Sequence, residues 1–330
     1  MSPAAAPIGE LHPRRIHLYR PQNQLGDLLL NVPAIRAVRE RWPGARVTLI
    51  VGRQNAAAVL GQPWADEVRV VETRNFLGVL KAALAAGPRP DLAIYFTTVS
   101  YSRSGAFLVR ASGARVRIGF DAARYGERDR AGLTHAVAYP EGKLHQSRVS
   151  LELARAAGAA GEPLPPYYVP QPAFRSPAPE GVAYLHPGAG KIKNRWPAEG
   201  FAEVARELLR RGLEVQLLEG PQDDGTVGAV CTALGRALAA VRGETIPMLA
   251  ARFARASIYV GNDTGPLHLA GAVGCPTVGI YGWSDPCEWS HVGARVRSVR
   301  APDASLASVT PRDVLEAALP LLEEARCVRV

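Results

Sequence analysis

Residues 258–268 read IYVGNDTGPLH. Ile258-Tyr259-Val260 has the make-up of a short buried strand, Gly261-Asn262-Asp263 is a turn, and a helix opens at Thr264-Gly265. A strand that turns directly into a helix presents the helix's unpaired N–H groups and partial positive charge beyond the strand end. Gly265 permits close approach to the backbone, Thr264 adds a hydroxyl, and His268, four residues on, shares the helix face. The same residues would also serve as an ordinary strand–helix turn capped by Asp263 or Thr264. The rest of the chain decides between an anion seat and a cap.

Around this stretch strands and helices alternate. In the second half 181–188, 213–220 and 276–282 read as strands. Residues 198–212, a segment within 225–240, 246–257, 265–274 and 310–325 read as helices. The last helix has Thr310 as N-cap, Pro311 at its first position and Asp313 in a capping box, with a kink expected at Pro320. The first half repeats the plan. RIHLYR (15–20), 45–52, 67–71, 91–96 and 116–120 are strands; 76–87, 104–113 and 145–159 are helices. After the turn Pro21 to Asp27, Leu28, Val32, Ile35, Val38 and Trp42 carry helical spacing. Pro33 inside that pattern predicts either a kinked first turn or a helix that starts there. Nearly all-apolar strands alternating with helices predict parallel α/β sheets.

Seven prolines in 161–181 mark a connector between two domains. The expected division is a disordered leader at 1–14, an N-terminal domain at 15–165, a proline-rich linker at 166–180 and a C-terminal domain at 181–330. The last helix, 310–325, is a candidate to pack back on the N-terminal domain. A chain of 330 residues with 47% hydrophobic residues suits two full cores. The net charge of +9 points to anionic partners: phosphates, acidic sugars, nucleic acid or a membrane surface. The four cysteines form no CxxC pair, which argues against a zinc site or a disulfide framework and suits a reducing cytoplasm. No apolar run is long enough to span a membrane.

Two further turns share the strand-end edge, where ligands bind in open α/β sheets. Gln24-Leu25-Gly26-Asp27 places a carboxylate suited to a general base or to helix capping. His186-Pro187-Gly188-Ala189-Gly190-Lys191-Ile192-Lys193-Asn194-Arg195-Trp196-Pro197 is a glycine-rich turn with three cations, either a phosphate cradle or a solvated basic loop. It has neither Walker A nor GxGxxG spacing. Between the second turn and the opening stretch, Glu219-Gly220-Pro221-Gln222-Asp223-Asp224 offers an acid for ribose hydroxyls, or a plain acidic turn.

Taken in order, LGDLLLNVPAIRAVRERWPGARVTLIVG, GARVRIGFD, HPGAG with RWPAEGFAEVARELLRRG, EGPQDD, and GNDTGPLHLAGAVGCPTVGIYG resemble glycosyltransferase family 9, the heptosyltransferases, from about residue 15 to 300. The resemblance implies a GT-B fold, two Rossmann-like domains facing a cleft. It implies an inverting transfer of heptose from ADP-heptose to an acceptor hydroxyl, as in the lipopolysaccharide inner core, with no cofactor and no metal. Asp27 matches the family's base. Asp263, Thr264, Gly265 and His268 match its nucleotide-diphosphate motif. Gly188, Ala189, Gly190, Lys191, Lys193 and Arg195 lie where a diphosphate-binding cation is expected, and Asp223 lies near a ribose-binding acid. Asn194 stands where relatives carry lysine, and Tyr95-Phe96-Thr97 departs from the family pattern. Arg53, Arg103, Arg110 and Arg124 are candidates for an anionic glycolipid or saccharide acceptor, each also readable as a solvated arginine. The implied partners are a nucleotide sugar and that acceptor, not nucleic acid. The implied location is cytoplasmic, with room for peripheral contact at the inner membrane. Two other readings stay open: another GT-B enzyme with a different nucleotide sugar or a small-molecule acceptor, such as an epimerase or glycosyltransferase, and a non-catalytic nucleic-acid-binding protein.

Overall fold

The computed structural model describes residues 10–73, 75–84, 87–162, 168–171, 173–174 and 181–327, the side chains of Phe76 and of 325–327 aside. Residues 1–9 of the expected leader and most of the expected linker lie outside these. So does the Cys327 side chain. The chain divides into two compact units, Met1–Pro163 and Leu164–Val330.

The first unit runs β1 (Arg15–Arg20), α1 (Leu25–Arg41), β2 (Arg46–Gly52), α2 (Ala56–Val59), β3 (Glu67–Val71), α3 (Phe76–Leu84), β4 (Leu92–Tyr95), α4 (Arg103–Ala111), β5 (Val116–Phe120), β6 (His135–Val137) and α5 (Gln146–Ala156). The second runs β7 (Ala183–His186), α6 (Ala198–Arg210), β8 (Val215–Glu219), α7 (Thr226–Leu234), β9 (Ala239–Arg242), α8 (Ile246–Phe253), β10 (Ile258–Asn262), α9 (Gly265–Ala272), β11 (Thr277–Tyr281), α10 (Pro286–Trp289), β12 (Val296–Arg300) and α11 (Pro311–Cys327). Each unit holds one six-stranded parallel sheet, ordered β3-β2-β1-β4-β5-β6 and β12-β11-β10-β7-β8-β9. Counted from its own first strand, each sheet has the Rossmann order 3-2-1-4-5-6, so the order reverses at β1/β4 and at β7/β10.

The central strands β1, β4, β7, β10 and β11 are buried almost throughout. The three strands that the hydrophobic pattern does not announce are the half-exposed β6, β9 and β12. β6 and β9 end their sheets on one side and β12 ends its sheet on the other. An edge strand buries little, and HAV, AAVR and VRSVR carry no large apolar side chain beyond valine. The helix expected within 225–240 is α7, which stops at Leu234, where Gly235 takes a left-handed conformation (φ 72°), and β9 follows from Ala239.

Three expectations need correction. Residues 10–14 are not a free leader: the Leu11 carbonyl accepts the Trp42 indole N–H at 3.0 Å, and the Arg14 N–H donates to Asp91 at 2.8 Å. Helix α1 starts at Leu25, so Pro33 lies well inside it and Asp27 sits in its first turn rather than in the preceding loop. Helix α11 packs on its own unit: Val314, Ala318 and Leu321, spaced on one face, join Phe201, Val204 and Leu208 of α6 in the core over β10 and β11. Its capping box forms as expected, with the Asp313 N–H donating to Thr310 Oγ1 at 3.2 Å and the Thr310 N–H to Asp313 Oδ2 at 2.9 Å.

Candidate active site

In the second unit β7 and β10 are neighbours, with His186 opposite Gly261. Their carboxyl ends flank the point where strand order reverses, which opens a crevice at the sheet edge. Asn262, fully buried, closes the base of it. Its amide N–H groups donate to the Pro187 and Gly188 carbonyls at 3.0 and 3.2 Å, and its carbonyl accepts the Trp196 N–H at 3.0 Å. One side chain thus fixes both ends of the HPGAG…RW loop.

His186 links the other strand ends. Its Nε2 lies 2.9 Å from Asp223 Oδ2 and its Nδ1 3.2 Å from Thr264 Oγ1. Asp223 Oδ2 also accepts the Gly220 N–H at 2.7 Å. Burial opposes ionisation of Asp223, but the His186 ring, the Gly220 N–H and nearby Arg195 outweigh it and hold its pKa below the ordinary carboxylate value. Gly188 leaves the room for this: a Cβ there would lie 1.9 Å from the Asp223 carboxyl carbon. The glycine therefore makes space for a carboxylate of the protein, and Asp223 braces β7 against β8.

Thr264 takes the N-cap position of α9 with an extended backbone (φ −148°, ψ 170°), but no side chain caps the helix. Its hydroxyl turns instead to His186 and to the Asn262 carbonyl. The first N–H groups of α9 are thus left without a side-chain cap, with Gly265 at the helix's first position. Asp263 Oδ2 accepts the Ser284 hydroxyl at 2.7 Å, and Oδ1 lies 3.5 Å from His268 Nε2. His268 is buried against Asp263, and its Nδ1 finds no partner among the described residues. Of the three expected cations, Arg195 is committed: Nε donates to the Ala189 carbonyl at 2.9 Å and Nη2 to the Gln222 carbonyl at 2.7 Å. Lys191 and Lys193 are exposed around the short 3-10 turn Ile192–Asn194.

At the matching edge of the first unit, Asp27 faces a residue the sequence reading missed. Arg20 closes β1, is buried, and donates from Nη2 to Asp27 Oδ2 at 3.0 Å; its Nε and Nη1 are buried without a partner among the described residues. Burial pulls the Arg20 pKa down and Asp27 pushes it back up. The signal was slight: RIHLYR carries an arginine at each end, and only the fold shows that Arg15 is exposed and Arg20 buried. The loop between them is braced by Asn55, whose amide donates to the Gln22 carbonyl at 2.9 Å, and by Asn23, which accepts the Gln54 N–H at 3.1 Å. A Cβ on Gly52 would come within 2.3 Å of Asn23 Oδ1.

The four candidate acceptor arginines do not form one group. Arg53, Arg103 and Arg124 follow β2, β4 and β5 at the carboxyl edge. Arg53 pairs with Glu72 at 3.4 Å, Arg103 with Glu127 at 2.7 Å, and Arg124 stacks 3.3 Å above the Tyr139 ring. Arg110 is in the last turn of α4, which runs back along the sheet, so it lies at the opposite edge beside Gly132. Among the described residues, no three His, Cys, Asp or Glu side chains are grouped as metal ligands, and no helix is long and apolar enough to cross a membrane.

This arrangement has counterparts. The chain is 25% identical over 288 residues to lipopolysaccharide heptosyltransferase 3 of Escherichia coli, covering 80% of this chain and 82% of that protein. Its fold matches a glycosyltransferase of family 9 from Veillonella parvula (TM-score 0.83, 20% identity, 94% of this chain and 97% of that one). It also matches an E. coli heptosyltransferase solved with ADP (TM-score 0.78, 19% identity, 93% and 99%). The pattern of glycosyltransferase family 9 (heptosyltransferase) spans residues 91–318, taking in β4 and the whole crevice of the second unit. With more than half of the chain matched and the two-sheet GT-B architecture in place, the protein belongs to glycosyltransferase family 9.

Proposed function

We propose that this enzyme moves a heptose from ADP-heptose to an acceptor hydroxyl of the lipopolysaccharide inner core, by inversion and without a metal. The second unit holds the nucleotide sugar and the first supplies the base and the acceptor's contacts. The observation that carries the reading is the uncapped N-terminus of α9 at the β7/β10 switch point, framed by Asn262, His186 and Asp223. Helix ends of this kind take phosphate oxygens, and relatives of this chain are named for heptose transfer, one of them solved with ADP.

In the proposed step the acceptor oxygen bonds to the anomeric carbon from the side opposite the diphosphate. The bond from that carbon to the diphosphate oxygen breaks, and ADP departs with the electron pair. The acceptor proton passes to Asp27. It becomes acidic only as the new C–O bond forms, so the Asp27 carboxylate, held by Arg20 at 3.0 Å, is basic enough to take it. Charge growing on the diphosphate is met by the α9 N-terminus and the Lys191/Lys193 loop, which is what allows a metal-free transfer. Arg195 acts one step back, holding that loop's backbone. Arg53, Arg103 and Arg124 supply the charge for an anionic acceptor, and the enzyme works in the cytoplasm with peripheral contact at the inner membrane.

A thermal-shift panel of ADP, UDP and GDP, followed by product analysis with ADP-heptose in the presence of EDTA, tests this. ADP preference and release of ADP with a glycosylated acceptor are expected. UDP preference, or loss of turnover on chelation, would overturn the donor or the metal-free step respectively.

A further inference from the structure

Trp283 is unusual among the five tryptophans of the chain. Trp42, Trp64 and Trp196 are buried and Trp289 half-buried, whereas Trp283 is 59% exposed. It follows β11 at the carboxyl edge, and it is held from two sides. Its indole N–H donates to Asn194 Oδ1 at 3.0 Å, and its chain neighbour Ser284 is buried and bonded to Asp263 at 2.7 Å. The Lys193 ammonium stands 5.5 Å from the Trp283 ring centroid. An aromatic face attracts a cation at this range.

Three cations compete for the leaving diphosphate, and the structure separates them. Arg195 is spent on two backbone carbonyls. Lys191 is exposed and bonds no described residue through its side chain. Lys193 is steadied over a ring that is itself fixed next to Asp263 and Asn194. A flexible lysine already confined near its target loses less freedom when it binds. We infer that Trp283 is a positioning residue that holds Lys193 beside the nucleotide site, so that Lys193 is the cation meeting the diphosphate. Asn194 serves this arrangement by orienting the indole rather than by carrying charge.

The inference rests on the nucleotide reading above, and the test separates the two. ADP and AMP affinities are measured by calorimetry, with intrinsic fluorescence followed in parallel, for wild type, W283L, W283F, K193A, K191A and W283L/K193A. W283L should weaken ADP binding roughly 2–5-fold, the range of an exposed cation–π contact, and raise KM with a smaller change in kcat. W283F, which keeps a ring face, should recover part of the loss. K193A should cost more than K191A, and the double variant little more than K193A alone, because both act through one ammonium. AMP, lacking the second phosphate, should be less sensitive to all of them. ADP should perturb the emission of wild type and not that of W283F. Failure of wild type to bind ADP overturns both readings. ADP binding that W283L and K193A leave unchanged, fully additive losses, or a larger loss in K191A overturns this inference alone.

Discussion

The two sheets have the same strand order, yet their carboxyl edges are built on different principles. At the β7/β10 edge the polar side chains are spent on one another and on the backbone. Asn262 holds the HPGAG…RW loop, His186 joins Asp223 to Thr264, and Gly188 gives way to a carboxylate. What remains for a ligand is mostly main chain at the end of α9. At the β1 edge the opposite holds. A buried guanidinium has two nitrogens without a partner among the described residues and supports one partly exposed carboxylate. The contrast suits the two proposed tasks: an anion gripped by a shaped backbone, and a proton taken by a single side chain.

The largest test of that contrast is Asp27→Asn. General-base catalysis is worth roughly 10²–10⁴-fold in rate, so turnover should fall by about that much while ADP affinity, seated in the other unit, survives. Asparagine can still accept from Arg20 but no longer balances its charge, so the melting temperature is measured on the same sample. Parallel losses of turnover, ADP binding and melting temperature would reduce Asp27 to a counterion for Arg20.

Acid should then distinguish the units. His17 is buried in β1, with Nδ1 3.3 Å from Tyr19 Oη. Burial first, and Arg69 second, lower its pKa from 6.5 to about 4, with Glu67 opposing. The folded state therefore keeps His17 neutral where the unfolded chain takes up a proton. Its contribution is present above pH 6.5 and is lost as pH falls towards 4, by about 3 kcal/mol in all. Asp223 is also depressed, but from the carboxylate range, so its contribution persists until lower pH and is lost only as the carboxylate protonates. Hydrogen exchange at pH 7 and pH 5 should show the first unit loosening first, and His17→Gln should flatten that dependence. Equal loosening of both units would assign the acid sensitivity elsewhere.

A smaller effect compares two buried asparagines. Asn262→Ala leaves the Trp196 N–H without its acceptor and two carbonyls without donors, and an unsatisfied buried group costs about 1–3 kcal/mol. Asn55→Ala removes donors from the Gln22 and Gln24 carbonyls only, which tolerate loss better than an orphaned N–H. Urea midpoints should drop further for Asn262→Ala, and ADP affinity should fall with it alone.

These asparagines also show where sequence reading ends. The central strands and amphipathic helices were legible because burial on both faces demands long apolar runs and helices must repeat every 3.6 residues. The edge strands β6, β9 and β12 were not, because an edge imposes no such run; β3, also at an edge, was legible from the valines of EVRVV. At the site, Asp27, Gly188 and Thr264 stood out as residue types at strand ends. Their partners did not: Asn262, Asn55 and Arg20 act through loops up to 75 residues away or through burial that only the tertiary structure creates. Even the meaning of a legible residue changed. Gly188 reads as an opening for phosphate, and in the fold its missing side chain is the space that Asp223 fills.

The finest test uses α4, whose two ends lie at opposite edges of the first sheet. Arg103 opens the helix near the strand ends and pairs with Glu127 across an exposed surface; Arg110 sits in its last turn, beside Gly132. An exposed pair contributes little to folding, so neither Arg103→Ala nor Arg110→Ala should move the urea midpoint. Their effects on the acceptor should differ. If the carboxyl edge of β4 and β5 receives an anionic saccharide, Arg103→Ala raises the acceptor KM and makes it less dependent on salt, while the donor KM holds. Arg110→Ala, on the far edge, should leave both unchanged. The two variants remove the same charge from the same helix, so net charge and helix stability are matched and only position differs. An equal rise in acceptor KM for both would mean that the acceptor responds to the overall +9 charge rather than to this edge.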